Sequence, residues 1–376
     1  MCLRERVMTE SQNTHLHRIK AEGFKSIKKL DIEMGSINIL IGANGAGKSN
    51  FISLFNFLRN LSEGKLQNYV EKNGFANTFF HFGAKNTQKI VIDIDVGSNG
   101  YYAEFSYGVT NDALVFDKEY CTFDGSSKKF SIKGQLGESG ILPDGEADSD
   151  YVRKYIREYM QKCRVYHFHD TSITAGFKQA QELSSSSYFY PDAGNLASFL
   201  YFLKQRYEKN YRDIVMAIQT VAPFFHDFFL EPVGAEGEEK LLLRWIHRDY
   251  ETPFSANQLS DGTARFICMA TLFLQPDFKR PKTIILDEPE LGLHPAALDV
   301  LADIIKSASK THQIICSTQS VAFANHFAPQ EFIVVDQENG ASVFNRPDRE
   351  SLECWLEEYG MGDIWTKNII GGRPEW

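Results

Sequence analysis

A glycine-rich segment between an apolar run and an amphipathic segment constrains this sequence most strongly. Residues 37–41 read INILI, which is typical of a buried strand, and residues 42–49 read GANGAGKS. Apolar side chains then recur with helical spacing at Phe51, Leu54, Phe55 and Leu58. A strand, a GxxxxGK[ST] loop and a helix in this order form the structural context of a phosphate-binding P-loop. The sequence therefore predicts an α/β fold of the P-loop NTPase class that binds a nucleoside triphosphate.

The residues of this loop have distinct predicted roles. The glycines allow backbone N–H groups to surround a phosphate, and the helix N-terminus adds partial positive charge. Lys48 is expected to reach the β- and γ-phosphates, and the Ser49 hydroxyl is expected to bind Mg²⁺. The candidate nucleotide-binding residues of the segment are Gly42, Ala43, Asn44, Gly45, Ala46, Gly47, Lys48, Ser49 and Asn50. Upstream, Lys25 lies in a loop that either contributes to nucleotide binding or is an ordinary solvated turn, and the sequence leaves both interpretations open.

A second apolar run, TIILD at residues 283–287, ends in two neighbouring acids. This is a Walker B pattern, in which Asp287 would hold Mg²⁺ through water and Glu288 would orient and deprotonate the attacking water. Lys48 and Asp287 are 239 positions apart. Because we expect a compact P-loop domain to bring the two strands side by side, much of the intervening chain is predicted to be inserted structure.

A third segment, LSDGT at residues 259–263, stands before a helix predicted at Ala264–Leu274. By itself it is most often a simple helix cap, since serine is a good N-cap and glycine allows close approach of a phosphate. Its place shortly before the Walker B strand is that of the ABC-type signature motif, which binds the γ-phosphate of a nucleotide held by another subunit. The candidate signature residues are Ser260, Asp261, Gly262 and Thr263.

A fourth segment, residues 314–319, is another apolar strand that ends in polar residues. Its last residue, Gln319, stands where ABC-type ATPases usually have a histidine that senses the γ-phosphate. Glutamine can hydrogen-bond a phosphate oxygen or the attacking water, but it cannot act as an acid near neutral pH. Gln319 is therefore predicted to be a catalytic residue beside Glu288, with consequences for the rate of turnover more than for nucleotide binding.

Taken together, these segments resemble the ABC-type ATPase heads of RecF, of structural maintenance of chromosomes (SMC) proteins and of OLD-family defence ATPases. The resemblance is carried by GFKSIKKL from residue 23, IGANGAGKSNF from 41, LSDGTARF from 259, ILDEPELGLHP from 285 and STQS from 317. With YHFHDTS from residue 166 and the tail NIIGGRPEW, the whole chain is similar to a stand-alone group of prokaryotic RecF/SMC-like ATPases. No conventional Q-loop glutamine is identifiable, and residues 168–171 are the candidate region for that role.

The resemblance implies the cofactors ATP and Mg²⁺ and a homodimer in which two heads sandwich the nucleotides. It also implies a role in DNA repair or anti-phage defence, with double-stranded DNA or a separately encoded nuclease or effector as partner. The implied architecture is an ABC-type ATPase head with an N-terminal antiparallel β region and an inserted helical, lateral subdomain. The predicted units are a disordered tail at 1–14, an N-terminal lobe at 15–133, the insert at 134–255 and a C-terminal lobe at 256–376.

Composition and spacing restrict the remaining alternatives. The net charge of −9 argues against a surface that is basic overall, although a local basic groove is compatible with it. The six cysteines are scattered without a CxxC pair and no apolar run approaches a membrane span, so a cytoplasmic location without membrane contact is expected. One alternative function is a regulatory ATPase scaffold that gates a separately encoded nuclease or toxin. A transporter's nucleotide-binding subunit fits the long separation between the motifs less well.

Two further clusters of polar residues are not assigned a site. His167, His169 and Asp170 suggest metal ligands, but neither a cysteine nor a second acidic cluster supports a zinc site. Asp336 follows an apolar strand, as the acidic centre of a TOPRIM nuclease would. Only 58 residues follow Thr318, which is too few for such a domain, so an intrinsic nuclease is not expected.

Overall fold

The computed structural model describes residues 15–123, 128–132, 137–142, 151–234 and 239–373. The disordered tail predicted at residues 1–14 and the boundary predicted between residues 133 and 134 lie outside these ranges. None of the helices in the described part of the chain combines the length and the apolar character that crossing a membrane requires.

Strands and helices alternate irregularly along the described residues. The strands are β1 (Leu16–Phe24), β2 (Ile27–Glu33), β3 (Ile37–Ile41), β4 (Lys89–Val96), β5 (Asn99–Gly108), β6 (Ala113–Phe123), β7 (Lys128–Ser131), β8 (Arg164–Tyr166), β9 (Gln181–Glu182), β10 (Phe225–Phe229), β11 (Lys240–Leu241), β12 (Arg244–His247), β13 (Phe254–Ser255), β14 (Thr283–Asp287), β15 (Gln313–Thr318), β16 (Phe332–Glu338) and β17 (Ala341–Asn345). The helices are α1 (Lys48–Ser62), α2 (Leu66–Lys72), α3 (Tyr151–Lys162), α4 (Leu196–Arg206), α5 (Glu208–Val221), α6 (Asp261–Leu274), α7 (Pro295–Ala308), α8 (Val321–Ala324), α9 (Arg349–Leu356) and α10 (Met361–Thr366).

A six-stranded sheet in the order β17-β16-β3-β15-β14-β8 forms the centre of the fold. Its strands are parallel except for β17, which forms an antiparallel hairpin with β16. The two faces of β3 pack into different cores: Leu40 meets α1 and the antiparallel sheet, whereas Ile39 and Ile41 meet α6 and α7. Burial on both faces explains why the strand reads as a continuous apolar run instead of an alternating one.

The order of these strands corrects one sequence-based expectation. The P-loop strand β3 and the Walker B strand β14 do not lie side by side, because β15 pairs with both of them. With strands about 4.8 Å apart, the two motif-bearing strands are separated by roughly 10 Å. The strand that ends at the switch position therefore lies between them, and its last residues lie between the P-loop and the Walker B acids.

The N-terminal antiparallel β region is present as predicted. Its six strands run in the order β2-β1-β4-β5-β6-β7, with antiparallel pairing throughout. Alternating residues of β4 are buried, and they face α1 across an aromatic cluster. In that cluster Phe57 makes edge-on contacts with Phe24 and Phe105, which fixes the P-loop helix on this sheet.

The segment predicted as an insert contributes to the ATPase sheet itself. The short strand β8 pairs in parallel with β14 and forms an edge of the central sheet. Beyond it, α4 and α5 pack against α6, and β10, β12 and β13 form a small antiparallel sheet. The chain between the two predicted lobes thus mixes a strand of the central sheet with peripheral helices and strands.

Candidate functional site

The P-loop follows the carboxyl end of β3 and wraps around the N-terminus of α1. Gly45 and Gly47 have φ angles of 81° and 119°, in the left-handed region that favours glycine. A Cβ atom on Gly47 would lie 2.0 Å from the Ser342 Oγ, and one on Gly42 would lie 2.1 Å from the carbonyl oxygen of Val335. The hairpin β16–β17 therefore approaches the loop so closely that both positions require glycine.

Lys48 is buried, although it carries the charge expected to meet the phosphates. Its side chain is 6% exposed, and its Nζ donates hydrogen bonds to the carbonyl oxygens of Gly42, at 2.7 Å, and Ala43, at 3.0 Å. Burial lowers the pKa of this ammonium group, and the nearby carboxylates of Glu288 and Asp287 partly offset the shift. The Lys48 ammonium group therefore lies over the P-loop, close to the acids of the Walker B motif.

Ser49 and Asn50 follow on the first turn of α1 in different settings. The Ser49 residue is exposed, as a hydroxyl ligand for a cation requires. The Asn50 amide donates to the Oγ of Ser26 at 2.7 Å, and this hydroxyl lies 2.7 Å from the Oγ of Ser342. The predicted nucleotide-binding role of Asn50 stays a prediction, because its amide nitrogen already has a partner in this structure.

Lys25 occupies the turn between β1 and β2, where it is half-buried. Its φ is 50°, and its backbone N–H donates to the Phe79 carbonyl at 2.7 Å. The Nζ lies 5.0 Å from the ring centroid of Phe79, a cation–π arrangement, and burial lowers its pKa. The residue lines a cleft of about 560 Å³ together with Asn50 and His81.

The Walker B and switch strands place their predicted catalytic residues in contact. Asp287 and Ser317 are paired in register, and the Ser317 hydroxyl donates to the Asp287 carboxylate. Glu288 has a φ of 46°, and its N–H donates to the Ser317 carbonyl at 3.1 Å. The Gln319 amide in turn donates to the Glu288 carboxylate. Glu288 and Gln319, which are 31 positions apart, therefore form one hydrogen-bonded pair.

The signature segment lies in the first turn of α6. This helix begins at Asp261, three residues before the predicted start, because the Ser260 Oγ accepts from the Thr263 N–H at 3.2 Å and caps it. Both Ser260 and Asp261 are exposed. A Cβ atom on Gly262 would lie 2.4 Å from the Gly292 carbonyl oxygen, so the turn packs tightly against the segment after the Walker B strand.

Several residues that sequence reasoning did not assign connect these motifs. Arg265 donates to the carbonyl oxygens of Leu291, at 2.9 Å, and His169, at 3.0 Å, and so joins the signature helix to the Walker B side. The His169 Nε2 donates to the Asp287 carbonyl at 2.8 Å, which places the candidate Q-loop region against the Walker B strand. In the sequence, the feature that could have identified Arg265 and His169 was a polar side chain next to a recognised motif or candidate region.

The C-terminal tail also reaches this edge of the sheet. The Gly372 N–H donates to the Asp336 carboxylate at 3.0 Å, and the Trp365 indole donates to the Gly372 carbonyl at 3.2 Å. A Cβ atom on Gly372 would lie 3.5 Å from the Cα of Gly42, the first residue of the P-loop. In the sequence, the tail contributed only to the resemblance, and its glycine pair was the one hint of close packing.

The donor set at this edge fits a magnesium–nucleotide complex. Backbone amides at a helix N-terminus and a buried lysine suit phosphate oxygens. The exposed Ser49 hydroxyl and the Asp287 carboxylate are hard oxygen ligands of the kind that Mg²⁺ prefers. Among the described residues there is no cluster of three or more histidine, cysteine, aspartate or glutamate side chains that could hold a metal ion by themselves.

Comparisons with known proteins agree with this geometry. A family model described as "AAA domain, putative AbiEii toxin, Type IV TA system" matches residues 37–325, more than half of the chain. The chain matches no curated protein. Among solved structures it is similar to an SMC head bound to the C-winged helix domain of ScpA, at 18% identity and a TM-score of 0.56, covering 89% of this chain and 99% of that one.

A second solved structure has the same fold. It is an Smc head domain with an extended coiled coil bound to the C-terminal domain of ScpA, derived from Pyrococcus furiosus. The identity is 16% and the TM-score 0.53, with 92% of this chain and 99% of that chain covered. At such identities the likeness establishes the fold alone.

Proposed function

Because the chain belongs to the family described as AAA domain, putative AbiEii toxin, type IV TA system, we propose that it hydrolyses ATP with Mg²⁺. The family match and the SMC-head fold together support a RecF/SMC-like, ABC-type ATPase. We further propose that two copies close around ATP, and that this cycle serves DNA repair or anti-phage defence.

The observation that carries the proposed hydrolysis is the contact between Glu288 and Gln319 beside Asp287. A carboxylate that must accept a proton from water needs a fixed orientation, and the Gln319 amide supplies one by donating to it. Bound Mg²⁺ would neutralise part of the triphosphate charge from the side of Ser49 and Asp287. Both acids lie close enough to Lys48 to favour its charged form by raising its pKa, and its ammonium group lies over the loop that would hold the phosphates.

The proposed homodimer is supported by the exposure of the signature turn. Ser260 and Asp261 lie in solvent at the N-terminus of α6, where backbone amides and the helix dipole favour an anion. The hydrogen bonds of Ser260 stay within its own helix turn. A turn of this kind is suited to meet the γ-phosphate bound by a second copy.

The test is the ATPase rate of the wild type and of Glu288→Gln, each with and without double-stranded DNA. Loss of the proton acceptor should lower hydrolysis by roughly 10²–10⁴-fold. Sedimentation of Glu288→Gln with ATP should show a dimer that disappears with ADP. Wild-type hydrolysis by Glu288→Gln would contradict the catalytic assignment, and a monomer at saturating ATP would contradict the sandwich. A parallel measurement with GTP tests the choice of base.

Stimulation by DNA would support a DNA-acting clamp, whereas an unchanged rate would indicate a protein client. We propose residues 134–255 as the region that contacts the client. In the described part of this region, large apolar side chains are exposed: Met216 at 57%, Phe224 at 40% and Tyr250 at 59%. Phe224 and Tyr250 both contact the ring of His247, so they belong to one exposed aromatic patch, and contiguous patches of this kind are typical of protein-binding surfaces.

A second candidate function is a regulatory scaffold whose slow ATPase gates a separately encoded nuclease or toxin. It is supported by Gln319, which cannot act as an acid, and by the toxin–antitoxin wording of the family description. Expression of the native operon with a tag on this chain should recover a second protein in an ATP-dependent manner. Full biological activity of the isolated chain would contradict this candidate.

A further inference from the structure

Glu290 is a buried acid at the edge of the nucleotide site with no assigned role. It lies in the turn after β14, two residues beyond Glu288, and is only 9% exposed. Most carboxylates with so little exposure have a specific partner, because removing a charge from water is costly. The partners of Glu290 therefore indicate what the residue does.

One oxygen of Glu290 holds the end of the switch strand. Its Oε1 accepts from the Thr318 hydroxyl and, at 3.1 Å, from the backbone N–H of Gln319. The Thr318 oxygen is itself the acceptor of the Ser320 N–H at 3.0 Å. Thr318, the last paired residue of β15, and the two residues that follow it are thus linked to a single carboxylate oxygen.

Gln319 is consequently held at both ends by the Walker B segment. Its backbone N–H donates to Glu290, and its side-chain amide donates to Glu288. Glu288 and Glu290 belong to one turn, in which the Leu291 N–H donates to the Glu288 carbonyl at 3.2 Å. The result is a closed ring of contacts that determines where the Gln319 amide can lie relative to the catalytic carboxylate.

The other oxygen of Glu290, Oε2, is buried and has no hydrogen-bond partner among the described residues. A buried carboxylate that uses half of its acceptor capacity is a poor choice for stability alone, since an unsatisfied buried oxygen is costly. Burial also raises the pKa of the Glu290 carboxyl, and the hydrogen bonds from Thr318 and Gln319 oppose this shift. The side chain therefore serves the geometry of the strand end at some cost to folding.

We infer that Glu290 is a positioning residue of the hydrolytic centre: it holds Thr318 and the Gln319 backbone so that the Gln319 amide stays against Glu288. This inference rests on the proposed hydrolysis of ATP and deepens it. Within the described part of the chain, the Glu290 carboxylate makes no hydrogen bond to the P-loop or to Glu288. Its charge helps to raise the pKa of Lys48, and its hydrogen bonds act on Glu288 through Gln319.

The test compares Glu290→Ala and Glu290→Gln in steady-state ATP hydrolysis and in binding of a fluorescent ATP analogue. Misplacing a reacting group by about 1 Å can cost about 10²-fold, so Glu290→Ala should lower kcat by about 10–10²-fold and leave nucleotide affinity unchanged. Glu290→Gln keeps an oxygen that can accept both hydrogen bonds, so it should restore kcat to within a few-fold of the wild type. A matched control is Glu331→Ala, because the Glu331 carboxylate also accepts a backbone N–H, from Ala328 at 2.7 Å, in the turn that precedes β16.

A double-mutant cycle separates this role from a purely structural one. If Glu290 acts through Gln319, the substitution Glu290→Ala should cost almost nothing further in kcat when Gln319 is already alanine. Additive losses, a Glu290→Gln variant as slow as Glu290→Ala, or wild-type kcat in Glu290→Ala would each overturn the inference. Thermal melts exclude unfolding of Glu290→Ala as the cause, and Glu290→Gln keeps the test informative if that variant does not fold.

The parallel measurement on Glu288→Gln separates failure of the proposed ATP hydrolysis from failure of the positioning role of Glu290. If Glu288→Gln retains the wild-type rate, the proposed hydrolytic centre itself fails. If Glu288→Gln is inactive while Glu290→Ala retains wild-type kcat, the hydrolytic centre stands and only the positioning role of Glu290 fails.

Discussion

The parallel strands of the central sheet have two ends, which we call the amino edge and the carboxyl edge, and both contain buried polar residues. The side chains at the two ends differ in how completely they are hydrogen-bonded. At the amino edge, the Gln313 side chain makes four hydrogen bonds: to the N–H and carbonyl of Leu16, to the carbonyl of Gly35 and to the Thr283 hydroxyl. At the carboxyl edge, Glu290 has an orphaned oxygen and Glu288 has a positive φ. The Gln313 side chain is therefore fully engaged in structural contacts, whereas Glu290 retains unused polar capacity.

This difference helps to separate structural from functional polar residues within one sheet. Ligands of open α/β sheets bind at the carboxyl ends of the strands, and backbone strain tends to persist at functional sites. In this protein Glu288 with its positive φ, the orphaned Glu290 oxygen and the buried Lys48 all belong to that edge. The expectation is that substitutions at the amino edge change stability alone, whereas those at the carboxyl edge change nucleotide chemistry.

The largest effect is expected from Gln313→Leu at the amino edge. The substitution removes the hydrogen bonds that Gln313 makes to both backbone groups of Leu16, whereas the Gly35 carbonyl keeps the Asn38 amide as a donor. Each orphaned Leu16 group costs about 1–3 kcal/mol, so urea unfolding should show a loss of roughly 2–6 kcal/mol. The control is Gln337→Leu, at an exposed position of β16. ATP affinity of the folded fraction should not change, and a specific loss of affinity would break the comparison.

Lys48→Met at the carboxyl edge should show the opposite pattern. Methionine keeps the apolar stem but removes the ammonium group, and hydrogen bonds to charged groups contribute about 1.5–3 kcal/mol. Affinity for ATP, measured by calorimetry, should therefore fall by about 10²-fold, with a much smaller change in unfolding free energy than for Gln313→Leu. The exposed Lys310→Met provides a charge-matched control. Undiminished ATP affinity would show that Lys48 is a structural lysine.

The sequence allowed the motif-bearing part of both edges to be predicted, because glycines, apolar runs and acids recur at fixed local spacings. It did not reveal the partners that determine what each polar residue does. Gln313 and Leu16 are 297 positions apart, and Glu290 and Thr318 are 28 apart. Nor did it predict that β15 lies between β3 and β14, since strand order depends on packing among distant segments. Long-range contacts of this kind leave no local pattern to read.

A third prediction concerns the pH dependence of the amino edge. Burial lowers the pKa of His312 from 6.5 to about 4, and the cations Arg280 and Lys282 and the nearby His15 add to the shift. Between these pH values the unfolded chain binds a proton that the folded protein does not, so stability should fall as the pH drops from 6.5 toward 4.

His312→Gln should remove part of this acid sensitivity. The histidine Nε2 donates to the Asp277 carbonyl at 3.2 Å, and a glutamine amide can supply a donor without titrating. Unfolding free energies measured at pH 4 and at pH 7 should therefore differ less in the variant than in the wild type. An equal difference in both proteins would assign the acid sensitivity to other groups.

Lys25→Met is expected to have the smallest effect. It tests whether a polar residue that already has a partner can still bind nucleotide. Lys25 lies near Asn50 on the nucleotide side, yet its ammonium group already has a partner in the ring of Phe79. If satisfied polar groups are structural, the substitution should remove only the cation–π contact, with a loss of about 0.5–1 kcal/mol in stability and no loss of ATP affinity.

The control for Lys25→Met is Lys29→Met, at an exposed position of β2 in the same basic segment. A tenfold loss of ATP affinity confined to Lys25→Met would mean that the side chain leaves Phe79 to meet the nucleotide. Hydrogen-bond and ring contacts within the protein alone would then be insufficient to classify a polar residue at the carboxyl edge. The assignment of Asn50, whose amide is likewise partnered by Ser26, would have to be reopened on the same ground.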